Sequence, residues 1–270
     1  MEQQLFIDEL VAKVVALVQA RLIAAAPKQR VLMLFSGAST GYVVGMDLIR
    51  MLSQADHNLT VFMTASALHV VGEDNVKQAG SAEIITPKQW VNTPSLVREA
   101  DLVLIPTLSM NTASRLALGL MDSLFSTLAL GALLANKPVV AVRDGADPYG
   151  QGGLIFSDAP IGAIALRDRM VESLVTLSSY GIQMVAEDAF VATVIQQMLA
   201  DGQDSAETIL DSSVRAAPIY RINTQTTILT AADLMNHQPG TILHIPAGTR
   251  LTPLAQDSAR SRRLQLQYAS

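Results

Sequence analysis

Residues 101–142 read DLVLIPTLSMNTASRLALGLMDSLFSTLALGALLANKPVVAV, and the two ends of this stretch are strands. The runs DLVLI (101–105) and PVVAV (138–142) are short, apolar and rich in β-branched residues, while the residues between them carry helical spacing, read as two helices at roughly 110–120 and 122–136. Strands that are apolar throughout, rather than alternating, are buried on both faces, as in a parallel sheet covered by helices. The same unit recurs on either side. Upstream lie a strand at 30–35 (RVLMLF), a helix to about 53, a strand at 59–63, a helix at 65–71 and a short strand at 82–86. Downstream lie a helix at about 160–179, a strand at 182–185 and a helix at 187–200.

The expected fold class is therefore α/β: a doubly wound, Rossmann-like, mostly parallel sheet with helices on both faces. Residues 208–270 hold shorter strand-like segments and a capped helix start at 230–233, and are expected to form a small C-terminal α+β appendage. The polar stretch 201–207 is read as a linker. Expected boundaries are an N-terminal amphipathic helix at 1–26, the sheet domain at 27–200 and the C-terminal segment at 208–270. No strict internal repeat is visible.

Half of the 270 residues are hydrophobic and 16% are charged, against about a quarter charged in ordinary soluble proteins. That excludes an intrinsically disordered chain. With a mean hydropathy of +0.32, the composition implies more buried surface than one copy supplies, and a homo-oligomer is expected. A net charge of -5 and a pI near 5.3 argue against a nucleic-acid binder. The absence of cysteine excludes disulfides, thiolate metal sites and a cysteine nucleophile. The apolar stretch 116–135 contains Asp122, Ser123, Ser126 and Thr127, and a charge at mid-membrane costs about 3 kcal/mol; a buried helix at a subunit interface is expected instead of a membrane span. The first residues carry Glu2, Asp8 and Glu9 and no basic run, so no signal peptide is expected and the location is read as cytoplasmic.

Residues 3–22 read as an amphipathic helix. Leu5, Ile7, Leu10, Val11, Val14, Val15, Leu17, Val18 and Leu22 gather on one side, with Asp8, Glu9, Lys13, Gln19 and Arg21 on the other. Such a helix either packs on its own domain or docks on another protein. The pattern leaves both open.

Small polar clusters follow the carboxyl ends of the strands, where doubly wound sheets hold their ligands. The first, Ser36-Gly37-Ala38-Ser39-Thr40-Gly41, has glycines four apart and so lacks the three-glycine dinucleotide fingerprint. Its amides and hydroxyls fit a phosphate cradle at a helix start, and they fit an ordinary strand-to-helix turn as well. Thr64 and Ser66 follow the second strand, and Ser109, Asn111 and Thr112 follow the strand at 101–105. Asp122 and Ser123 open the next helix in the manner of an N-cap. Four such clusters on one rim predict a bound anionic cofactor.

His69, among Leu68, Val70 and Val71, reads as a hydrogen-bonded packing residue, and His57, between Asp56 and Asn58, as part of a surface turn. His237 and His244 are too far apart in pattern for a metal pair, and no metal site is expected. The long loop at 143–160 suggests function or mobility, with Asp144, Asp147 and Asp158 read as solvated carboxylates rather than cation ligands. Trp90 and Tyr149 are candidates for stacking on a cofactor ring or sitting at a subunit seam.

The series Pro106, Ser109, Asn111, Thr112, then Gly119, Asp122, Leu124 and Thr127 resembles the superfamily of homo-oligomeric flavin-containing cysteine decarboxylases. Phosphopantothenoylcysteine decarboxylase, lantibiotic peptide decarboxylases and related prenyl-flavin enzymes belong to it. There a P-x-S-x-N-T-like turn precedes a glycine and a D-x-L-x-T run. SGAST at 36–40 and TASA at 64–67 are similar to the family's other flavin-contacting loops, and the resemblance spans roughly 30–185. It implies FMN bound between subunits of a trimer, the phosphate near Ser36, Gly37 and Ser39, and the isoalloxazine edge near Thr64, Ser66, Ser109 and Asn111. Including the loop and cap neighbours Ala38, Thr112, Asp122 and Ser123 completes the expected cofactor site.

Two departures accompany the resemblance. The family's histidine before the DLVL-type strand aligns with Thr93, and its Pro-x-Met-Asn segment is replaced by VRDGADP at 142–148. The resemblance then implies a retained scaffold with altered chemistry. The reading it favours is an FMN-binding flavoprotein with a redox or electron-transfer role, an oxidoreductase rather than a decarboxylase. Its alternatives are a flavin-dependent decarboxylase or transferase with non-standard catalytic residues, or a cofactor-free structural subunit.

The tail phrase TPLAQD at 252–257 is similar to terminal segments of proteins associated with bacterial metabolic microcompartments, and the N-terminal helix to helices that target cargo to such shells. Together they imply a microcompartment-associated member whose N-terminal helix meets a shell or cargo protein. Thr252 and Pro253 also fit an N-cap and first helical position, with Arg260, Arg262 and Arg263 closing the helix against its dipole.

Overall fold

The computed structural model describes residues 2–155, 163–210, 219–221, 228–229, 242–245, 249–252, 255–256, 259–260 and 264–268. The chain divides into two units, 1–205 and 206–270.

In the first unit, α1 (Glu2–Ala25) leads into β1 (Arg30–Phe35), α2 (Tyr42–Gln54), β2 (Asn58–Met63), α3 (Ala65–Val70), α4 (Glu73–Ala79) and β3 (Glu83–Ile85). Then come α5 (Thr93–Glu99), β4 (Leu102–Thr107), α6 (Met110–Ala117), α7 (Leu124–Leu134), β5 (Val139–Val142), α8 (Gln151–Leu154), α9 (Ile164–Ser179), β6 (Ile182–Val185) and α10 (Glu187–Leu210). The six strands form one sheet in the order β3-β2-β1-β4-β5-β6, every neighbouring pair parallel. This is the Rossmann-type order, and its direction of winding reverses between β1 and β4.

Continuous apolar strands serve two cores at once because successive side chains point to opposite faces. Val31, Met33 and Phe35 of β1 join the layer containing Leu48, Ile49 and Leu52 of α2 and Phe190 and Val194 of α10. Leu32 and Leu34 join the opposite layer with Leu116 of α6 and Phe125, Leu128 and Ala129 of α7. So α7 buries Phe125, Leu128, Ala129, Leu130 and Ala132 within its own unit, while Leu118, Leu120, Met121 and Leu134 of the stretch 116–135 are exposed. No helix among the described residues is long and apolar enough to cross a membrane.

Several boundaries differ from expectation. The helices expected at 110–120 and 122–136 are shorter, because Gly119 takes φ 69° and Ser123 with Ser126 forms a capping box that starts α7 at Leu124. Three helices, α4, α5 and α8, had no counterpart in the sequence reading. The second is capped by Asn92, whose side chain accepts from the Ser95 N–H at 3.2 Å, with proline in its first turn. The expected linker at 201–207 is helical, part of α10; a polar run without proline is compatible with a helix.

The helix α1 leaves Ile7, Leu10, Val11, Val14, Val15, Leu17, Val18 and Leu22 exposed and buries Ile23 near its end. Its apolar stripe is thus not spent on the first unit, apart from the last turn.

The second unit holds β7 (Ile219–Arg221), β8 (Ile228–Leu229), β9 (Ile242–Ile245), β10 (Arg250–Leu251) and β11 (Gln265–Tyr268). One parallel sheet runs β11-β9-β7, and β10 pairs with β8, also parallel. Ile219 pairs with Ile242 and Ile242 with Gln265, each step twenty-three residues on, while Ile228 pairs with Arg250 twenty-two residues on. The strands therefore stack as rungs of an internal repeat, contrary to the expectation of none. Leu243, Ile245, Ala255, Ala259 and Leu264 form its buried cluster. Thr252 caps as expected, its Oγ1 accepting from the Ala255 N–H at 3.2 Å. The helix start at 230–233, His237, Pro253, Arg262 and Arg263 lie outside the described residues.

Candidate cofactor site

The site grows from the switch point. Ser36, the first residue beyond β1, and Thr107, the last of β4, are both fully buried. The Ser36 N–H donates to the Thr107 carbonyl at 3.1 Å and to its Oγ1 at 3.0 Å. The Ser36 hydroxyl donates to the same carbonyl at 2.8 Å, and the Thr107 hydroxyl donates back to the Ser36 carbonyl at 3.0 Å. Ser36 Oγ also accepts from the Ser109 N–H at 2.8 Å. The register of β1 on β4 shifts between Met33 and Phe35, so this clamp holds the two strand ends together just where their loops part.

Two glycines set the loop between Ser36 and α2. A Cβ on Gly37 would lie 2.5 Å from Ser66 Cβ, so the loop meets the start of α3 backbone to side chain. Gly41 has φ 87°, and a Cβ there would lie 1.8 Å from the Pro106 carbonyl oxygen. Neither position admits another residue without movement.

Three helix starts face the resulting cavity. Thr64 Oγ1 accepts from the Ala67 N–H at 3.1 Å at the start of α3. Ser109 Oγ accepts from the Thr112 N–H at 3.3 Å at the start of α6. Ser123 Oγ accepts from the Ser126 N–H at 3.2 Å, and Ser126 Oγ from the Ser123 N–H at 3.1 Å, at the start of α7. The cavity has a volume of about 730 Å³. Gly37, Ala38, Thr64, Ser66, Ser109, Asn111, Thr112 and Ser123 line it, so eight of the expected site residues meet on one wall. The other three stand apart. Ser36 lies beneath the wall with its hydroxyl committed to the clamp. Ser39 is exposed beside it, its carbonyl accepting from the Tyr42 N–H at 3.1 Å. Asp122 binds Arg115 instead, Oδ2 accepting from the guanidinium at 2.6 Å.

Sequence reasoning missed Met110, Ser114, Arg115, Phe125, Ser126, Gly145, Ile155 and Met170 on the wall. Arg115 was within reach, since it follows Asn111 by one helical turn on α6. It is the one charged side chain among the described lining residues. Hydroxyls and amides thus share the wall with the apolar side chains of Met110, Phe125, Ile155 and Met170, a combination suited to a flat ring system with a polar edge.

The remaining candidates lie elsewhere. Trp90 is 88% exposed and is not on the wall; nor is Thr93, the first residue of α5. Tyr149 donates its hydroxyl to Asp168 Oδ1 at 2.7 Å and lies 5.8 Å from the Arg167 guanidinium. The hydrogen bond to Asp168, with smaller contributions from burial and from the carboxylate charge, raises its pKa above the usual tyrosine value. Asp144 Oδ2 accepts from the Glu187 N–H at 2.6 Å and Asp147 Oδ1 from the Tyr149 N–H at 2.9 Å; these carboxylates cap backbone rather than stand in solvent alone. Asp158 lies outside the described residues. Among the described residues no group of His, Asp and Glu could hold a metal ion.

The two histidine readings are reversed. His69 is exposed on α3, whereas His57 is buried, accepting at Nδ1 from the Gln29 N–H at 3.2 Å and donating from Nε2 to the Ile23 carbonyl at 3.0 Å.

A family model described as Flavoprotein matches residues 21–151. No curated protein matches the chain. Among solved structures, the FMN-dependent cysteine decarboxylase TvaF from thioviridamide biosynthesis is 18% identical, with 64% of this chain and 99% of that one covered and a TM-score of 0.49. An FMN-dependent UbiX-like decarboxylase from Escherichia coli O157:H7, a dodecamer, is 18% identical over 64% of this chain and 94% of that one, TM-score 0.47. A phosphopantothenoylcysteine (PPC) decarboxylase variant complexed with pantothenoylaminoethenethiol is 21% identical over 59% and 82%, TM-score 0.43. These proteins are decarboxylases, and the preference for an oxidoreductase is corrected accordingly. The Rossmann-type strand order, the cavity at its switch point and the match over 21–151 fall on one segment, and that segment is similar to the flavoprotein family.

Proposed function

We propose that the switch-point cavity binds FMN and that the protein is an FMN-dependent decarboxylase whose catalytic groups differ from the familiar set. The observation that carries this reading is the cavity itself, where a glycine backbone and three capped helix starts meet an apolar floor at the place a Rossmann-type sheet holds its ligand. The residues present fit the group. Gly37 offers backbone with no side chain in the way, Thr64, Ser66, Ser109 and Asn111 offer hydrogen bonds to a polar ring edge, and Phe125, Ile155 and Met170 keep water from the ring face.

When bound, FMN supplies an electron sink for the substrate. The chain's own contribution is binding and orientation. Ser36 fixes the loop from below rather than touching the ligand, since its hydroxyl and N–H are already spent on Thr107. Thr93 stands off the wall, and the described lining residues include no histidine, aspartate, glutamate or lysine. Proton movement in the cavity therefore falls to hydroxyls such as Ser109 and Thr112, which lie 2.9 Å apart, or to water.

The test is the absorption spectrum of the purified protein, followed by CO2 release from cysteine-ended peptides and other thiol acids. Bands near ~370 and ~450 nm with CO2 release are the expected result for a flavin held in such a site. A spectrum that stays blank in excess FMN overturns the reading and leaves a structural subunit.

The exposed apolar stripe of α1 supports a second element of the proposal, a homo-oligomer in the cytoplasm whose α1 also docks on a shell or cargo protein of a bacterial microcompartment. Val11→Asp with Val18→Asp is expected to abolish co-purification with such a partner while leaving the first unit folded; unchanged co-purification removes α1 from this role.

A further inference from the structure

We propose that Arg115 is the oxyanion receptor of the cavity, the group that recognises either the carboxylate of the substrate or the phosphate of the cofactor; this rests on the reading that the cavity holds FMN. Every other polar group on the described wall is neutral, a hydroxyl, a side-chain amide or backbone. An anion entering a wall of apolar side chains and neutral dipoles gives up hydration that only a cation or a convergent set of donors replaces. Arg115 is that cation.

Its setting suits the role. Arg115 sits in the last turn of α6, with its side chain half-exposed rather than sealed into the core. Asp122 Oδ2 accepts one N–H from Nη1 at 2.6 Å, and a guanidinium carries five donors in a rigid fork. The Asp122 carboxylate thus anchors the group and leaves donors for a second oxyanion, an arrangement in which arginine outperforms lysine because the fork matches two oxygens at once. The ion pair spans the segment between α6 and α7, so the receptor is tied to the element that also presents Ser123 and Ser126 to the cavity.

Flavin fluorescence titrations of the wild type, Arg115→Gln and Arg115→Lys with FMN and with riboflavin separate the two sources. If the phosphate is the anion, the wild type prefers FMN to riboflavin and Arg115→Gln loses that preference by about tenfold or more, with Arg115→Lys restoring part of it. If the carboxylate is the anion, the FMN-to-riboflavin ratio is the same in all three proteins. The flavin-loaded wild type then shows a spectral response to N-acetylcysteine that is weak for N-acetylcysteine amide, and Arg115→Gln erases this difference. Equal ratios together with an unchanged N-acetylcysteine response in Arg115→Gln overturn the proposal and reduce Arg115 to a surface ion-pair partner. A wild type that binds neither flavin rejects the FMN reading itself, and the receptor with it, and is recognised before any variant is compared.

Discussion

Ser36 and Thr107 exchange hydrogen bonds in both directions across the reversal point of the sheet, each hydroxyl donating to the other residue's carbonyl. The pair ties the end of β1 to the end of β4 at the switch point, and the Ser109 N–H is drawn into it through Ser36 Oγ. The position of the third cavity loop is therefore coupled to the first through a buried side chain.

Thr107→Val keeps the shape and removes the hydroxyl. The Ser36 carbonyl loses its side-chain donor, while the Ser36 N–H keeps the Thr107 carbonyl. A loss of about 1–2 kcal/mol is expected, read by urea denaturation, together with weaker flavin binding because the Ser109 loop is less firmly placed. Unchanged stability and binding would show that the clamp is redundant.

The sheet was legible because its strands are apolar on both faces, a pattern that 30–35 and 138–142 display without interruption. The cavity loops were legible for a related reason, since hydroxyls that cap helices sit at strand ends, and eight of the expected residues do line the wall. Arg115 escaped notice because a charged residue on an amphipathic helix looks like solvent-facing surface until the cavity is seen opposite it. His57 was misread because Asp56 and Asn58 flank it, yet the first turn into β2 carries its ring inward. The repeat of the second unit stayed hidden because pairing preserves spacing and not identity, as at Ile219, Ile242 and Gln265.

Gly37→Ala tests the closeness of the first loop to α3. The new Cβ meets Ser66 Cβ at 2.5 Å, so loop and helix must separate, at a cost of roughly 1–3 kcal/mol for overpacking. Flavin affinity is expected to fall with it. Adding Ser66→Gly removes the opposing atom, and the double variant should recover most of the binding lost by the single one, the signature of two sites in contact. Additive losses would mean that the two residues act separately.

Tyr149 supplies a pH dependence. Its hydroxyl donates to Asp168, which favours the neutral phenol and raises its pKa in the folded chain. The contribution to stability is then complete below the ordinary tyrosine value near 10.0 and is lost as pH climbs through the raised value. Phenolate absorbance should appear at higher pH than in the unfolded protein. Asp168→Asn should bring it down, and an unshifted titration in that variant would assign the effect to burial.

His57 fastens the end of α1 to the sheet. Nδ1 is the acceptor for the buried Gln29 N–H, and Nε2 donates to the carbonyl of Ile23, the buried residue near the end of α1. His57→Leu retains an apolar side chain of comparable reach and removes both bonds. The Ile23 carbonyl still accepts from the Ala26 N–H at 3.2 Å, so the main penalty is the orphaned Gln29 N–H, about 1–3 kcal/mol. That penalty falls on the attachment of α1 rather than on the sheet, whose hydrogen bonds are untouched. Amide exchange should therefore quicken around residues 18–29 while the amides of β1 and β4 keep their protection. Uniform acceleration across the first unit would show instead that α1 and the sheet unfold as one.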